Sequence, residues 1–158
     1  AALKSRYDAR IAEVRAQLGD PSQITASLFG TWEGTISVEA SPYVSYLTVF
    51  NDLGLSLTEV QRQALATGEY AELSVESLPQ LDGDVIFVPA FGQANTDTSF
   101  VKSSPLWQQL NAVQKGQAHE VPGEQWFGMA YQALFNVLDG VEQHMIERPL
   151  DASWEPQP

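Results

Sequence analysis

Two neighbouring aromatic residues stand where a side chain could contact a ligand. The stretch VPGEQWFG, residues 121–128, carries Trp126 and Phe127 directly after a proline–glycine turn and two polar residues. Large aromatic side chains are usually buried in a core, but outside an apolar run their faces are also suited to stacking on a ligand. We predict that Trp126 presents such a face, whereas Phe127 can also belong to the core.

Further aromatic residues occupy comparable positions in the sequence. Trp32 stands in the glycine-bounded stretch GTWEG, whereas Trp107 falls in helical rhythm within PLWQQL and is predicted to pack in the core. Aromatic faces that gather at one edge of a fold can hold a ligand, so we consider them together as one candidate site. Beyond the opening pair, the candidates are Trp32, Tyr43, Tyr70 and Phe91.

The sequence lacks the common motifs of catalysis and nucleotide binding. It contains no G-x-S-x-G, no G-x-G-x-x-G and no G-x-x-x-x-G-K-[ST]. With no cysteine, and with His119 and His144 far apart, no metal site is predicted. The DGD triplet at 82–84 lacks the acidic series of a calcium loop and predicts a turn before a strand. An α/β enzyme using Glu33 or Asp97 as an acid or base stays an alternative.

The acidic balance of the chain argues against one class of partner. Its 158 residues, enough for one ordinary domain, carry 20 acidic and 8 basic side chains and a net charge of -12. Because nucleic-acid binding depends on clustered Lys and Arg, we expect no nucleic-acid partner. No apolar run reaches the roughly 20 residues that a membrane-spanning helix needs.

Helices and strands alternate along the chain in the pattern of an α/β fold. A long first helix is predicted because its apolar residues share one face: Leu3, Tyr7, Ile11, Val14 and Leu18. Strands are predicted at 24–29, 35–38, 84–90 and 118–121, and helices at 41–54, 74–83, 104–113 and 127–146, with a looser region at 55–73. Short apolar strands indicate a sheet covered on both faces, so we predict a three-layer α/β/α sandwich lobe preceded by the long helix.

The predicted sheet also locates the candidate site. We divide the chain into the long helix at 1–20, the α/β lobe at 21–148 and an irregular tail at 149–158. In such sheets ligands bind beyond the carboxyl ends of the strands, in the loops that lead into helices. These loops are GTWEG, EASPY, AFGQANTD and PGEQWFG, and they contain the aromatic candidates except Tyr70, which lies in the looser region.

This order of segments resembles the carboxyl-terminal lobe of the periplasmic binding proteins that deliver ferric siderophores, or in related members cobalamin or heme, to ABC importers. The resemblance covers about residues 1–147. It is carried by the segments ALKSRYDARIAEVRAQL, ISVEASPYVSYLTVFNDLG, LSVESLPQLDGDVIFV, SPLWQQLNAVQKGQAHEVP and WFGMAYQALFNVLDGVE. It implies a non-enzymatic, periplasmic or extracytoplasmic protein of two lobes, of which the N-terminal lobe, and any lipid anchor, would lie outside this chain.

The resemblance also implies a ligand and its contacts. The ligand would be an iron(III)–siderophore chelate held between the lobes; because the siderophore binds the iron, no cofactor and no protein metal ligand is expected. The family's tryptophan-bearing loop falls on Trp126 and Phe127, a second aromatic contact falls near Tyr70, and the first loop maps onto Trp32 and Glu33. Cobalamin or heme stays an alternative ligand.

Two further expectations concern charge. The family's glutamate that pairs with arginines of the ABC permease transmembrane subunits corresponds to Glu76, although an acidic residue in a first helical turn is also favoured by the backbone dipole. No basic residue lies in the four loops, and an unpaired anionic ligand would be costly to enclose. Either the ligand carries little net charge, as many ferric hydroxamates do, or the missing lobe supplies the arginines.

Overall fold

The computed structural model describes residues 1–147. Residues 148–158, which include the predicted tail at 149–158, lie outside the described part of the chain. The strands are β1 (Thr25–Leu28), β2 (Gly30–Trp32), β3 (Thr35–Val38), β4 (Ser56–Leu57), β5 (Ala71–Leu73), β6 (Val85–Ala90) and β7 (Ala118–Pro122). The helices are α1 (Ala2–Leu18), α2 (Ser45–Leu53), α3 (Glu59–Thr67), α4 (Ser99–Lys102), α5 (Pro105–Gln109), α6 (Asn111–Gln114), α7 (Gly123–Trp126) and α8 (Tyr131–Val141).

The first helix follows the predicted apolar pattern over most of its length. Tyr7, Ile11 and Val14 are buried against α2 and α8, while Leu3 at the open end is 49% exposed. The helix ends at Gly19, whose φ of 77° is a backbone conformation that glycine adopts readily. α1 therefore lies across one face of the lobe rather than apart from it.

The main sheet has four parallel strands in the order β4-β1-β6-β7. Its register pairs Ala26 of β1 with Val85 of β6, and Ile86 of β6 with Ala118 of β7. Along β6 the buried side chains alternate: Phe87 packs on the α1, α2 and α8 side, and Val88 packs on the opposite side with α4 to α6. Apolar layers on both faces confirm the predicted three-layer α/β/α sandwich.

A second, antiparallel sheet of three strands, β2-β3-β5, was not predicted. GTWEG was expected to be only a turn or loop between strands, but its Gly30–Trp32 portion is strand β2, which pairs with β3 through Trp32 and Thr35. The two connecting residues, Glu33 and Gly34, have φ values of 48° and 81°. A two-residue hairpin turn needs positive φ at both positions, so Gly34 suits the turn better than Glu33 does.

The helical segments also differ in part from the prediction. The looser region at 55–73 contains α3, and the helix expected at 104–113 is two short helices, α5 and α6. The last helix begins at Tyr131 rather than at 127, and it continues as a π-helical segment, Glu142–Ile146. None of the helices within residues 1–147 is both long enough and apolar enough to cross a membrane.

Candidate functional site

A cavity of about 450 Å³ lies on the polar face of the antiparallel sheet. The loop after β6 and the segment after α7 form its other walls. Its aromatic lining comprises Trp32, Tyr46, Tyr70, Phe91 and Phe127. The structure thus brings together four of the predicted aromatic residues, Trp32, Tyr70, Phe91 and Phe127.

The floor of the cavity follows from the alternation of side chains along β3. Ile36 and Val38 are buried in the core, whereas Thr35 and Ser37 face the cavity. Ser37 pairs with Glu72 of β5, which lines the cavity as well. An antiparallel sheet with one face on the core commonly leaves its other face polar, and here that face forms the floor of the cavity.

The hairpin that carries Trp32 is fixed to the segment after β6. The backbone N–H of Glu33 donates to the carbonyl of Asn95 at 2.7 Å, and the Thr31 hydroxyl donates to the carbonyl of Thr96 at 2.9 Å. Trp32 is nevertheless 50% exposed. A half-exposed indole on an anchored hairpin is a surface that a ligand can cover at little cost in conformational entropy.

Phe127 belongs to a continuous aromatic wall. Its ring centroid lies 5.3 Å from that of Phe91 and 5.1 Å from that of Tyr46. A β-carbon placed on Gly123 would meet the Phe91 ring at 2.6 Å, so the glycine makes room for this wall. The loop after Phe127 is tied to α2, because the Ser45 hydroxyl donates to the carbonyl of Gly128.

Glu39 is the charged residue that the structure holds most firmly in the lining. Its Oε1 accepts hydrogen bonds from the backbone N–H groups of Ala40 at 2.8 Å and Ser41 at 3.0 Å. Its Oε2 accepts a hydrogen bond from the Tyr70 hydroxyl at 3.3 Å. The Glu39 carboxylate raises the pKa of Tyr70 above its usual value, and partial burial and this hydrogen bond add to the effect.

Trp126 corrects the leading prediction from the sequence. It is only 1% exposed, and its ring packs against Phe87 with the centroids 4.9 Å apart. Since α7 turns the chain at this point, Trp126 points into the core while its neighbour Phe127 reaches the cavity. The positions of the two residues are the reverse of those expected: Phe127 lines the cavity, and Trp126 packs in the core.

Two other candidates lie outside the lining of this cavity. Tyr43 is 73% exposed in the stretch before α2, and Glu33 occupies the hairpin turn beside Trp32. Tyr43 followed from its position in a loop, and Glu33 followed from the resemblance of the first loop to that of the family; neither fixes the direction of a side chain. The cavity residues that sequence reasoning missed are chiefly Glu39, Tyr46 and Glu72; the alternation of apolar and polar residues along ISVE could have pointed to the first of them.

Glu76 lies away from the cavity, on the surface. It is exposed in the first turn of the 3-10 helix Val75–Leu81. Its own backbone N–H and then the Ser74 hydroxyl lower the pKa of its carboxyl. The side chain is therefore a negative charge, oriented by local hydrogen bonds and accessible to a partner.

The structure bears on two other chemistries, metal binding and acid–base catalysis by Asp97. Among residues 1–147, no group of three or more His, Cys, Asp and Glu side chains could hold a metal ion. Asp97, one of the two acids considered for an enzyme, has a lowered pKa because the Ser99 hydroxyl and backbone N–H bond to its carboxylate. A carboxylate stabilised in this way is a weaker base than usual.

Comparison with known proteins identifies relatives of this chain. Residues 1–124 match the family model described as periplasmic binding protein. The chain is 25% identical over 151 residues to the probable siderophore-binding lipoprotein YfiY of Bacillus subtilis, covering 89% of this chain and 46% of YfiY. It is 35% identical over 75 residues to the iron(3+)-hydroxamate-binding protein FhuD of the same organism, covering 46% of this chain and 24% of FhuD.

A solved structure extends the comparison to the fold. The siderophore periplasmic binding protein from the fuscachelin gene cluster of Thermobifida fusca superimposes with a TM-score of 0.73 at 27% identity, over 90% of this chain and 51% of its own. The chain thus spans about half the length of YfiY and of the Thermobifida protein. With the family model matched over residues 1–124 and the fold shared, the chain belongs to the periplasmic binding protein family.

Proposed function

We propose that this chain forms the carboxyl-terminal lobe of a two-lobed binding protein that captures a ferric siderophore and delivers it to an ABC permease. The ligand would be held between the described cavity and an N-terminal lobe outside this chain. The protein would act without catalysis, outside the cytoplasm, and a lipid anchor would attach through a region that this chain does not include. The names of YfiY and FhuD, a siderophore-binding and a hydroxamate-binding protein, support this choice of ligand.

The aromatic cavity is the observation that carries the proposal. Its volume of about 450 Å³ falls within the range of small-molecule sites, and it would be enlarged by a facing lobe. In a ferric siderophore the chelating groups enclose the iron, so the protein meets an organic periphery rather than the metal. Trp32, Tyr70 and Phe127 offer faces for that periphery, and no protein ligand to iron is required.

The exposure of these aromatic residues supports the same conclusion. Trp32 and Tyr70 are 50% and 64% exposed, yet both lie on the rim of one cavity. A single exposed aromatic residue is ordinary, whereas several that converge on a concave surface mark a binding site. We infer that ligand binding and closure of the two lobes cover these rings.

Substitution of the lining residues tests the proposed function. In the full-length protein, Trp32→Ala and Phe127→Ala should each weaken binding of ferrioxamine B, a ferric trihydroxamate, by about 10- to 100-fold, because burying an aromatic side chain contributes about 1.5–3 kcal/mol. Isothermal titration calorimetry avoids the change in intrinsic fluorescence that loss of Trp32 causes. Tyr43→Ala is the matched control, since Tyr43 is an exposed aromatic residue outside the lining.

Two results of these binding measurements would contradict the proposed function. If the wild-type protein binds no ferric siderophore, or if Tyr43→Ala weakens binding as much as Trp32→Ala does, this cavity is not a siderophore site. Binding of heme or cobalamin in its place, followed at the ligand's own absorbance bands, would move the assignment to the alternative ligands. A change of affinity confined to the two lining variants supports the proposal.

Delivery to the permease is proposed to involve Glu76. This exposed carboxylate does not line the cavity, so a substitution there should leave ligand binding intact. Glu76→Arg should slow siderophore uptake by cells, because exposed charge pairs act mainly on orientation and association rate. Glu72→Arg would be a poor control, since Glu72 lines the cavity; Glu69→Arg, on the exposed surface beyond α3, is a better one.

A further inference from the structure

We propose that this lobe selects a ferric trihydroxamate that carries a protonated amine, and that Glu39 and Glu72 recognise the positive charge. The inference rests on the proposed function, because it names the ligand class of the same cavity. It goes beyond that function in assigning a charge to the ligand and a specificity role to two carboxylates.

Register places the two carboxylates at diagonal positions on one face of the antiparallel sheet. Glu72 of β5 is paired with Ser37 of β3, and Glu39 follows Ser37 by two residues on the same face of the chain. Diagonal neighbours on one face of an antiparallel pair of strands lie about 7–8 Å apart. Both side chains line the cavity, so a single cationic group could approach both.

The two carboxylates differ in how firmly they are held. Glu39 is half-buried, and the N–H groups of Ala40 and Ser41 and the Tyr70 hydroxyl all donate to its oxygens. Glu72 is exposed, and it forms no ion pair with any residue in the described range 1–147. Glu39 thus contributes an oriented charge, and Glu72 contributes a charge that is free to meet a ligand.

No positive charge within the lining opposes them. The lining contains Glu39 and Glu72 but neither Lys nor Arg. The nearer basic residues along the chain are engaged elsewhere: Arg62 pairs with Glu59, and Lys102 pairs with Glu120 at 2.5 Å. The cavity therefore attracts a cation and disfavours an anion such as a ferric tricarboxylate.

The aromatic lining fits the same ligand. Tyr70 contacts Glu39, and Trp32 lines the same cavity from the hairpin end of the sheet. Aromatic faces attract organic cations as well as apolar methylene chains. A linear trihydroxamate with a terminal ammonium group offers both kinds of surface. An anionic chelate would gain only the aromatic contacts in this lobe.

A pair of ligands that differ only at one terminal amine tests the inference. Ferrioxamine B has a terminal ammonium group, and N-acetylation of that amine removes the charge while leaving the iron chelate unchanged. In the full-length protein, calorimetry at low salt should give about tenfold tighter binding of ferrioxamine B than of its acetylated form. The preference should shrink at high salt, because the attraction is electrostatic and partly exposed to solvent.

Isosteric substitutions then assign the preference to residues. Glu72→Gln should reduce the preference to about threefold, and the double variant Glu39→Gln, Glu72→Gln should abolish it while the acetylated ligand still binds. Glu33→Gln is the matched control, because Glu33 is an acidic residue of the same hairpin that lies outside the lining. The Glu33→Gln variant should prefer ferrioxamine B over the acetylated form to the same extent as the wild type.

The possible outcomes separate this inference from the proposed function. If neither ligand binds to the wild-type protein, the proposed function fails and the inference fails with it. Equal binding of both ligands overturns the inference alone. A preference that survives in the double variant also overturns it, since the charge would then be recognised by the other lobe.

Discussion

Gly140 in α8 offers a sharp test of how the core beneath the site is packed. Helix propensity alone favours alanine over glycine by about 1 kcal/mol in a helix interior, and Gly140 is interior because α8 continues into Glu142–Ile146. A β-carbon at this position would lie 3.2 Å from Cε2 of Trp126 and closer still to Cζ2. The packing of Trp126 against neighbouring side chains therefore opposes the usual effect of this substitution.

The magnitude follows from the confinement of the indole. Trp126 is 1% exposed and rests on Phe87 with the ring centroids 4.9 Å apart, so the ring cannot move aside freely. Overpacking a filled core costs about 1–3 kcal/mol. After the gain in helix propensity is subtracted, we expect Gly140→Ala to lower the free energy of unfolding by as much as about 2 kcal/mol and not to raise it.

A double-mutant cycle with Trp126→Phe isolates this contact. The smaller ring of phenylalanine removes the atoms that the new methyl group would strike, so Gly140→Ala should be neutral or stabilising in that background. Gln132→Ala, an exposed change in the same helix, should shift the free energy of unfolding by no more than about 0.5 kcal/mol. Chemical denaturation followed by circular dichroism measures all four variants. Stabilisation by Gly140→Ala in the wild-type background would refute the packing described for Trp126.

Three further perturbations test other contacts. Tyr7→Phe removes the hydrogen bond that the Tyr7 hydroxyl donates to Asp52 at 2.7 Å. It should lower the free energy of unfolding, measured by thermal denaturation, by about 1–2 kcal/mol. Adding Asp52→Asn should lower it little further. Thr58→Ala removes the side-chain cap of α3 and should cost about 1 kcal/mol, whereas Thr58→Ser should restore most of it. The carboxylate of Glu39 raises the pKa of Tyr70, so the folded state favours the protonated phenol. The resulting contribution to the free energy of unfolding is present at neutral pH and is lost as the pH rises through the raised pKa. Glu39→Gln should therefore shift one tyrosine to ionisation at lower pH in an alkaline absorbance titration, and an unchanged titration would contradict the contact.

The layered architecture could be predicted because the strands of the main sheet carry strong local signals. The stretch DVIFVPA is apolar at nearly every position, as expected for a strand covered on both faces, and it forms β6. α3 was missed because little of its surface is buried. Only Gln61 and Ala64 of this helix are buried, so its sequence contains no stripe of apolar residues at helical spacing. Its Thr58 cap and its Gly68 end are the signals that the sequence does contain.

The location of the candidate site could be predicted more reliably than its lining. Parallel strands present their carboxyl ends at one edge, so the loops could be placed beside the cavity without knowledge of any contact. The antiparallel sheet was missed because β2 and β5 have three residues each, too few for a periodic pattern. That sheet supplies Glu39 and Glu72, so the acidic character of the cavity became visible only with strand pairing.

The exchange of roles between Trp126 and Phe127 shows which sequence signal was overlooked. Neighbouring residues at the end of a short helix point in different directions, and neither periodicity nor burial preference decides between them. Two glycines indicate where the rings lie: Gly140 leaves space for the Trp126 ring, and Gly123 leaves space for the Phe91 ring that packs on Phe127. A glycine inside a predicted helix weakens that helix, so its presence indicates a close approach by another group. Interpreted in this way, Gly140 assigns the larger of the two aromatic residues to the core and leaves Phe127 to line the cavity.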